Sequence, residues 1–390
     1  MKIKYSDLNY YDLQRYIELN GIDSNTLCIC RSKMKFKDCC RDNQIGGVLE
    51  ALRLQEELNR RLNSNSHIGV DECLLSTCHE RAIMSHAIQK NGYLDMLAIN
   101  EHLYVFSKAF NQGRYYVRDN KVSINNATTF YGFCNFHDTK MFLDIEVYQG
   151  EEFIKNRLMA HTYRSIAYQY RRTVNELKLI ESEHFMKFPL LYFNEVYNPD
   201  FIVYQAYLIS NYHMKKSHKS ILKNTLNELE QCYDISHNIW SMHKKIVFSD
   251  VVKVKGTSNP IVFFCSGVIN SNDLFMCKES NSDDYEILTL MVLPNQDGSL
   301  NSAFLSSYGT HSSLIKFFNK CDDQVRLNII NNIILNHLNE LFLSEKQMNI
   351  LKESKDFSVI EERLLEEVRI EVNKVEIDEL SKESLINFFE

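Results

Sequence analysis

Cysteine and histidine pairs at short spacings are the residues of this chain best suited to chemistry. Cys28 and Cys30 are followed by Cys39 and Cys40, all within the stretch CICRSKMKFKDCC. Two close thiol pairs about ten residues apart can converge on one tetrahedral zinc, whose soft preference is for thiolate and imidazole. A second set follows: Cys73 and Cys78 have four residues between them, and Cys134 and His137 have two. This Cys3His set is expected to hold a second structural zinc, with two ligands from a loop and two from the start of a helix, DTKMFLDIE. That is the layout of a treble clef. His79 and His86 are further ligand candidates. The plainer alternative is that Cys73 and Cys134 are buried thiols and His137 a core or capping histidine.

Two resemblances rest on these residues. Cys28, Cys30, Ser32, Lys37, Cys39 and Cys40 resemble the SEC-C motif, a short zinc-binding module, over residues 28–40. The resemblance implies contacts with proteins or ribosomes. Arg31, Lys33, Lys35, Lys37 and Arg41 around the cage would suit phosphates. The stretch 73–142 resembles the HNH nuclease family, whose members often carry one cysteine pair before the catalytic histidine and one after it. That resemblance implies His86 as general base, with His137 or Asp138 near the start of the metal-holding helix and Asn135 in the turn between the ligands. It further implies a divalent catalytic cation such as magnesium or manganese. The chemistry is coherent, because an imidazole is a base near neutral pH and a cation offsets charge building on a phosphate. The expected function is therefore a metal-dependent HNH-like nuclease with His86 and Asp138 as catalytic residues. The alternative is a non-catalytic, zinc-stapled module that binds nucleic acid or protein. A zinc knuckle, a nuclease-like segment and a large further domain are also found together in many bacterial phage-defence proteins.

The elements that would position these residues suggest an α+β protein. Residues 1–63 read as the first zinc module with flanking helices, and 64–149 as the second zinc segment. Residues 150–390 read as a larger, helix-rich C-terminal domain with a sheet and an acidic helical tail. Between the ligand pairs, HLYVFSK, GRYYVRD and KVSINN alternate as strands do, separated by Gly and Asn turns. Helical periodicity dominates 150–247, strand-like runs fill 247–310, and the last 80 residues are helical again.

Composition narrows the functional classes. Gly (12) and Pro (4) are scarce against 21 Tyr and 23 Phe, which favours helices and aromatic cores. The net charge of −7 argues against indiscriminate polyanion binding while allowing a local basic patch. No apolar run is long enough to span a bilayer, and no secretory h-region opens the chain, so a cytoplasmic location without membrane contact is expected. In that setting the 11 cysteines are expected to be reduced or metal-bound. Cys232, Cys265, Cys277 and Cys321, scattered in apolar surroundings, read as core or surface thiols. No phosphate-binding glycine loop, dinucleotide fingerprint or nucleophile elbow occurs. HTYRSIAYQYRR is either a basic aromatic surface for nucleic acid or a helix whose tyrosines are buried and whose arginines are paired. His237, Trp240 and His243 recur at three-residue spacing, and a histidine pair six apart does not share a helical face well enough to hold a metal.

Overall fold

The computed structural model describes residues 72–111, 114–147, 155–180, 212–255, 260–270, 285–295, 298–309, 313–366 and 380–389. The first cage, Cys28, Cys30, Cys39 and Cys40, lies outside the described residues, as do the helices expected around it and most of the acidic tail.

The architecture is α+β. The first described part is built around two short strands, β1 (Met84–His86) and β4 (Thr129–Tyr131), paired antiparallel. A long hairpin of β2 (His102–Asn111) and β3 (Arg114–Ser123) is inserted between them. Two short helices follow, α1 (Asn135–Met141) and α2 (Leu143–Val147). The sequence suggested one helix here. Phe142, at φ −114° and ψ 9°, breaks it. The expected turn at Asn120 is also absent. Asn120 pairs with Val105, and β3 runs unbroken from GRYYVRD into KVSINN. A single polar residue does not end a strand whose partner continues opposite it.

Two long helices, α3 (Lys155–Ile180) and α4 (Tyr212–Glu230), come next. They lead through the small β5 (Tyr233–Asp234) and β6 (Ile239–Trp240) pair into the main sheet. That sheet contains β7 (Ile246–Phe248), β8 (Val252–Lys255), β9 (Val262–Asn270), β10 (Tyr285–Pro294) and β11 (Leu300–Tyr308). Beyond it lie α5 (Ser313–Lys320), α6 (Asp323–Asn336), β12 (Leu341–Phe342), α7 (Glu345–Glu353) and α8 (Phe357–Glu366). Strand order is β12-β9-β10-β11-β7, with β8 pairing the other end of β11, and every pairing is antiparallel.

The sheet is covered on both faces, so β10 and β11 are buried along nearly their whole length and read as apolar runs without alternation. The two faces are still separated by residue parity. Ile287, Met291 and Leu293 pack with Phe264 and Phe304 toward α3 and α4. Leu288, Leu290 and Val292 pack toward α5, α6 and α8, where Ile315, Phe318, Ile330 and Ile334 complete a second core. The first core also takes in Leu74, Leu75, Phe133 and Phe142, so side chains from both sides of residue 149 share one interior. The β2–β3 hairpin is wedged between the two cores, with Leu103 and Val105 in one and Phe106 in the other. Among the described residues, no helix is long and apolar enough to cross a membrane.

Candidate metal centre

Cys73 opens a tight loop that returns on itself. Its amide donates to the Glu80 carbonyl at 2.9 Å, Cys78 N–H donates to Leu75 O at 3.1 Å, and Glu72 pairs with Arg81 across the mouth. The other two ligands come from the chain leaving β4. Gly132 O accepts from Leu74 N–H at 2.8 Å, which draws this chain onto the loop. A Cβ on Gly132 would lie 2.3 Å from the Phe130 ring. That ring is buried between Phe133 and Tyr168 and cannot swing away, so only glycine fits. Cys134 is the N-cap of α1 but makes no side-chain cap. Its sulfur instead faces His137, one turn along the helix.

The four side chains converge as expected. Cys134 Sγ and His137 Nδ1 are 3.2 Å apart, Cys73 Sγ and His137 Nδ1 3.6 Å, and Cys78 Sγ and Cys134 Sγ 3.9 Å. All four ligand atoms lie within 4.8 Å of one another. Zinc–sulfur bonds of about 2.3 Å give a tetrahedron with sulfur–sulfur edges of about 3.8 Å, so the set is sized for zinc. Cys73 and Cys134 are buried, and Cys78 and His137 partly so. Burial pushes the Cys73 thiol up to about 12. A bare thiolate there would be costly, and a dication is the natural compensation. Burial also lowers the His137 pKa, which keeps the imidazole in its neutral, ligating form. Among the described residues, no other group of three or more His, Cys, Asp or Glu side chains comes together closely enough to hold an ion.

The centre is braced from the two long helices by residues that carry no motif. Glu230, the last residue of α4, accepts from the Ser76 amide at 3.0 Å and from its hydroxyl at 3.1 Å. Lys223 Nζ donates to Leu74 O at 3.0 Å, and Arg171 donates to Glu72 O. Such outer partners orient ligand loops. Their distance in sequence, more than ninety positions, leaves no local signal for them.

His86 and Asp138 have other partners. His86 ends β1, and its Nε2 lies 2.9 Å from the Ile124 carbonyl. Burial lowers its pKa, with Arg164 adding to the effect and Ile124 opposing it. Asp138 Oδ1 accepts from Arg164 Nη2 at 3.2 Å, and Arg164 Nη1 donates to Glu146. The Arg164 guanidinium, 2% exposed, also lies 4.4 Å from the centre of the Phe142 ring. Asn135 opens α1. His79, exposed, pairs with Glu72 at 3.4 Å instead of joining the cluster. Tyr163, Arg164 and Tyr168 of HTYRSIAYQYRR are all buried, so this helix face is interior and not a nucleic-acid surface. His237 pairs with Asp234 at 2.8 Å, while Trp240 is buried. Cys232 is buried, and Cys265 and Cys321 are partly buried.

No family model, no curated protein and no solved structure matches this chain. The metal centre is thus the feature from which function must be argued.

Proposed function

We propose that the chain is a zinc-stapled binding protein in which Cys73, Cys78, Cys134 and His137 hold one structural Zn2+ in a treble-clef-like module. The observation that carries this reading is the completeness of the ligand set. Four protein ligands fill a tetrahedron and leave no position for water or substrate, which separates structural from catalytic zinc. The surroundings of Asp138, one of the expected catalytic pair, agree with it. Asp138 is neutralised by the Arg164 cation, which would repel a second dication at the same carboxylate. The bond from His86 Nε2–H to a backbone carbonyl leaves its Nδ1 lone pair available and favours neither reading.

The experiment is metal analysis of the full chain together with a cleavage assay. Cys73→Ser and Cys134→Ser are each expected to lower the zinc content by one equivalent. Plasmid, single-stranded DNA and RNA are expected to stay intact with magnesium, manganese, nickel or zinc. Unchanged zinc content in both variants would sink the assignment.

A second reading keeps the HNH-like nuclease, with phage defence as the setting its resemblance implies. It is favoured by the position of His86 on the β1–β4 pair that leads into the candidate ligand turn, with a pKa lowered by burial so that the ring is neutral. Cleavage that disappears in His86→Ala while the zinc content is unchanged would establish this reading in place of the first.

A further inference from the structure

The three sulfurs of the metal centre differ in what surrounds them. Cys73 and Cys134 are buried, at 6% and 5% exposure. Cys78 is partly exposed and sits at the tip of the ligand loop, between the exposed Thr77 and His79. Cations stand on the Cys73 side. Lys223 Nζ donates to the carbonyl of the following residue, Leu74, and is close enough to Cys73 for their charges to interact. Arg171 donates to the carbonyl of the preceding residue, Glu72. Three thiolates, a neutral imidazole and Zn2+ leave one negative charge in excess, and these cations offset it at Cys73. Cys73 is therefore enclosed and held by charge, while Cys78 is the sulfur that a solute in water meets first. Cys134 Sγ lies 3.9 Å from Cys78 Sγ, fixed at the start of α1.

We infer that this centre is a redox switch in which a hydroperoxide oxidises Cys78 and Cys134 closes a disulfide onto it, expelling zinc. The inference rests on the zinc reading above and concerns its regulation. The Cys78 thiolate attacks the peroxide. A sulfur–oxygen bond forms, the oxygen–oxygen bond breaks, and the leaving hydroxide or alkoxide takes up a proton. Cys78 is then a sulfenic acid. The Cys134 thiolate attacks that sulfur in turn. The sulfur–sulfur bond forms, the sulfur–oxygen bond breaks, and hydroxide leaves and is protonated to water. The two sulfurs together give up two electrons, and the peroxide accepts them. Closure needs a sulfur–sulfur distance of about 2.05 Å, so the two atoms approach by about 1.9 Å. The exposed tip that carries Cys78 makes this movement, because Cys134 is buried at the start of a helix. Cys73 and His137 are the ligands left, and two do not complete a structural zinc site. The event reaches beyond the loop, since α1 carries His137 and ends at Met141, whose carbonyl accepts from Trp240.

The test treats the zinc-loaded full chain with a small excess of hydrogen peroxide. A chromogenic chelator reads zinc release, and alkylation followed by peptide mass spectrometry reads the cross-link. Zinc release in step with a Cys78–Cys134 disulfide is expected, and a dithiol reductant with added zinc is expected to restore thiols and metal together. Cys78→His keeps four ligands but removes the sulfur that reacts first, and is expected to slow release from this centre at least about tenfold. Cys73→His leaves the reacting pair in place and is expected to release zinc at a rate close to the parent's. Cys28, Cys30, Cys39 and Cys40 are the same in all three chains, so differences between the chains report this centre. If Cys78→His does not hold zinc, the cross-link found in the parent chain decides. A disulfide through Cys73, release without a disulfide, or equal rates in the parent and Cys78→His would overturn the inference. If Cys73→Ser and Cys134→Ser leave the zinc content unchanged before any oxidant, the metal centre falls and the switch with it. If they lower it but peroxide leaves the zinc bound, the switch alone falls.

Discussion

His161 illustrates at the scale of one residue how burial sets chemistry. Its ring is 3% exposed, its Nδ1 has no hydrogen-bond partner, and it lies 6.5 Å from the Phe304 ring. Burial lowers its pKa to about 3, with Arg164 and Arg157 adding to the shift. The folded protein thus holds it neutral, while the unfolded chain takes up a proton below about pH 6.5. Its full contribution is present above that pH, and stability falls as the pH drops from about 6.5 toward 3. At pH 5 the loss is about 2 kcal/mol. His161→Phe is expected to remove this part of the acid sensitivity. Urea denaturation at pH 7 and pH 5 should give a smaller difference for the variant than for the parent protein. The sequence singled out His161 only for its place on an aromatic, basic helix. Its isolation is a property of the interior it enters.

At the scale of elements, α3 does what its sequence left open. The run HTYRSIAYQYRR is compatible with either a nucleic-acid surface or a packed face, since tyrosine and arginine suit both. The interior wins because α3 lies between the sheet and the zinc segment, where Tyr163 and Tyr168 join the aromatic core. Arg164 then has to find carboxylates, and it bridges Asp138 of α1 and Glu146 of α2. Three helices are tied by one guanidinium. Arg164→Met is expected to destabilise the protein by about 3 kcal/mol, because it leaves two partly buried carboxylates without their cation. Adding Asp138→Asn and Glu146→Gln should recover part of that loss. Chemical denaturation of the single and triple variants measures both effects.

At the scale of the whole molecule, the metal centre and the sheet are parts of one interior. Trp240, the single tryptophan, is 1% exposed and donates from Nε1 to the Met141 carbonyl at 2.8 Å, at the end of the helix that carries His137. It also packs against Tyr163 and Tyr233. Removing zinc with a strong chelator is therefore expected to shift Trp240 emission to longer wavelength and lower the thermal midpoint of the whole cooperative unit. Unchanged emission on metal loss would show that the centre is dispensable to this core. The grouping of Cys73, Cys78, Cys134 and His137 was legible in the sequence, because Cys-x4-Cys and Cys-x2-His are spacings at which local chain geometry lets two side chains meet. So were the order of helical and strand-like regions and the α+β class, which follow from periodicity. The partners that decide what those residues do were not legible. Asp138 meets Arg164 across 26 positions and Ser76 meets Glu230 across 154, and no spacing rule connects them. The two faces of β10 were hidden for the same reason, since a strand buried on both sides shows no alternation until its neighbours are in place. The amino-acid sequence by itself determined that Cys73, Cys78, Cys134 and His137 are residue types able to hold a metal ion together. Only the tertiary structure decided that Asp138 is bound to a buried cation, because desolvated charges are compensated by whatever opposite charge the packed fold brings within reach.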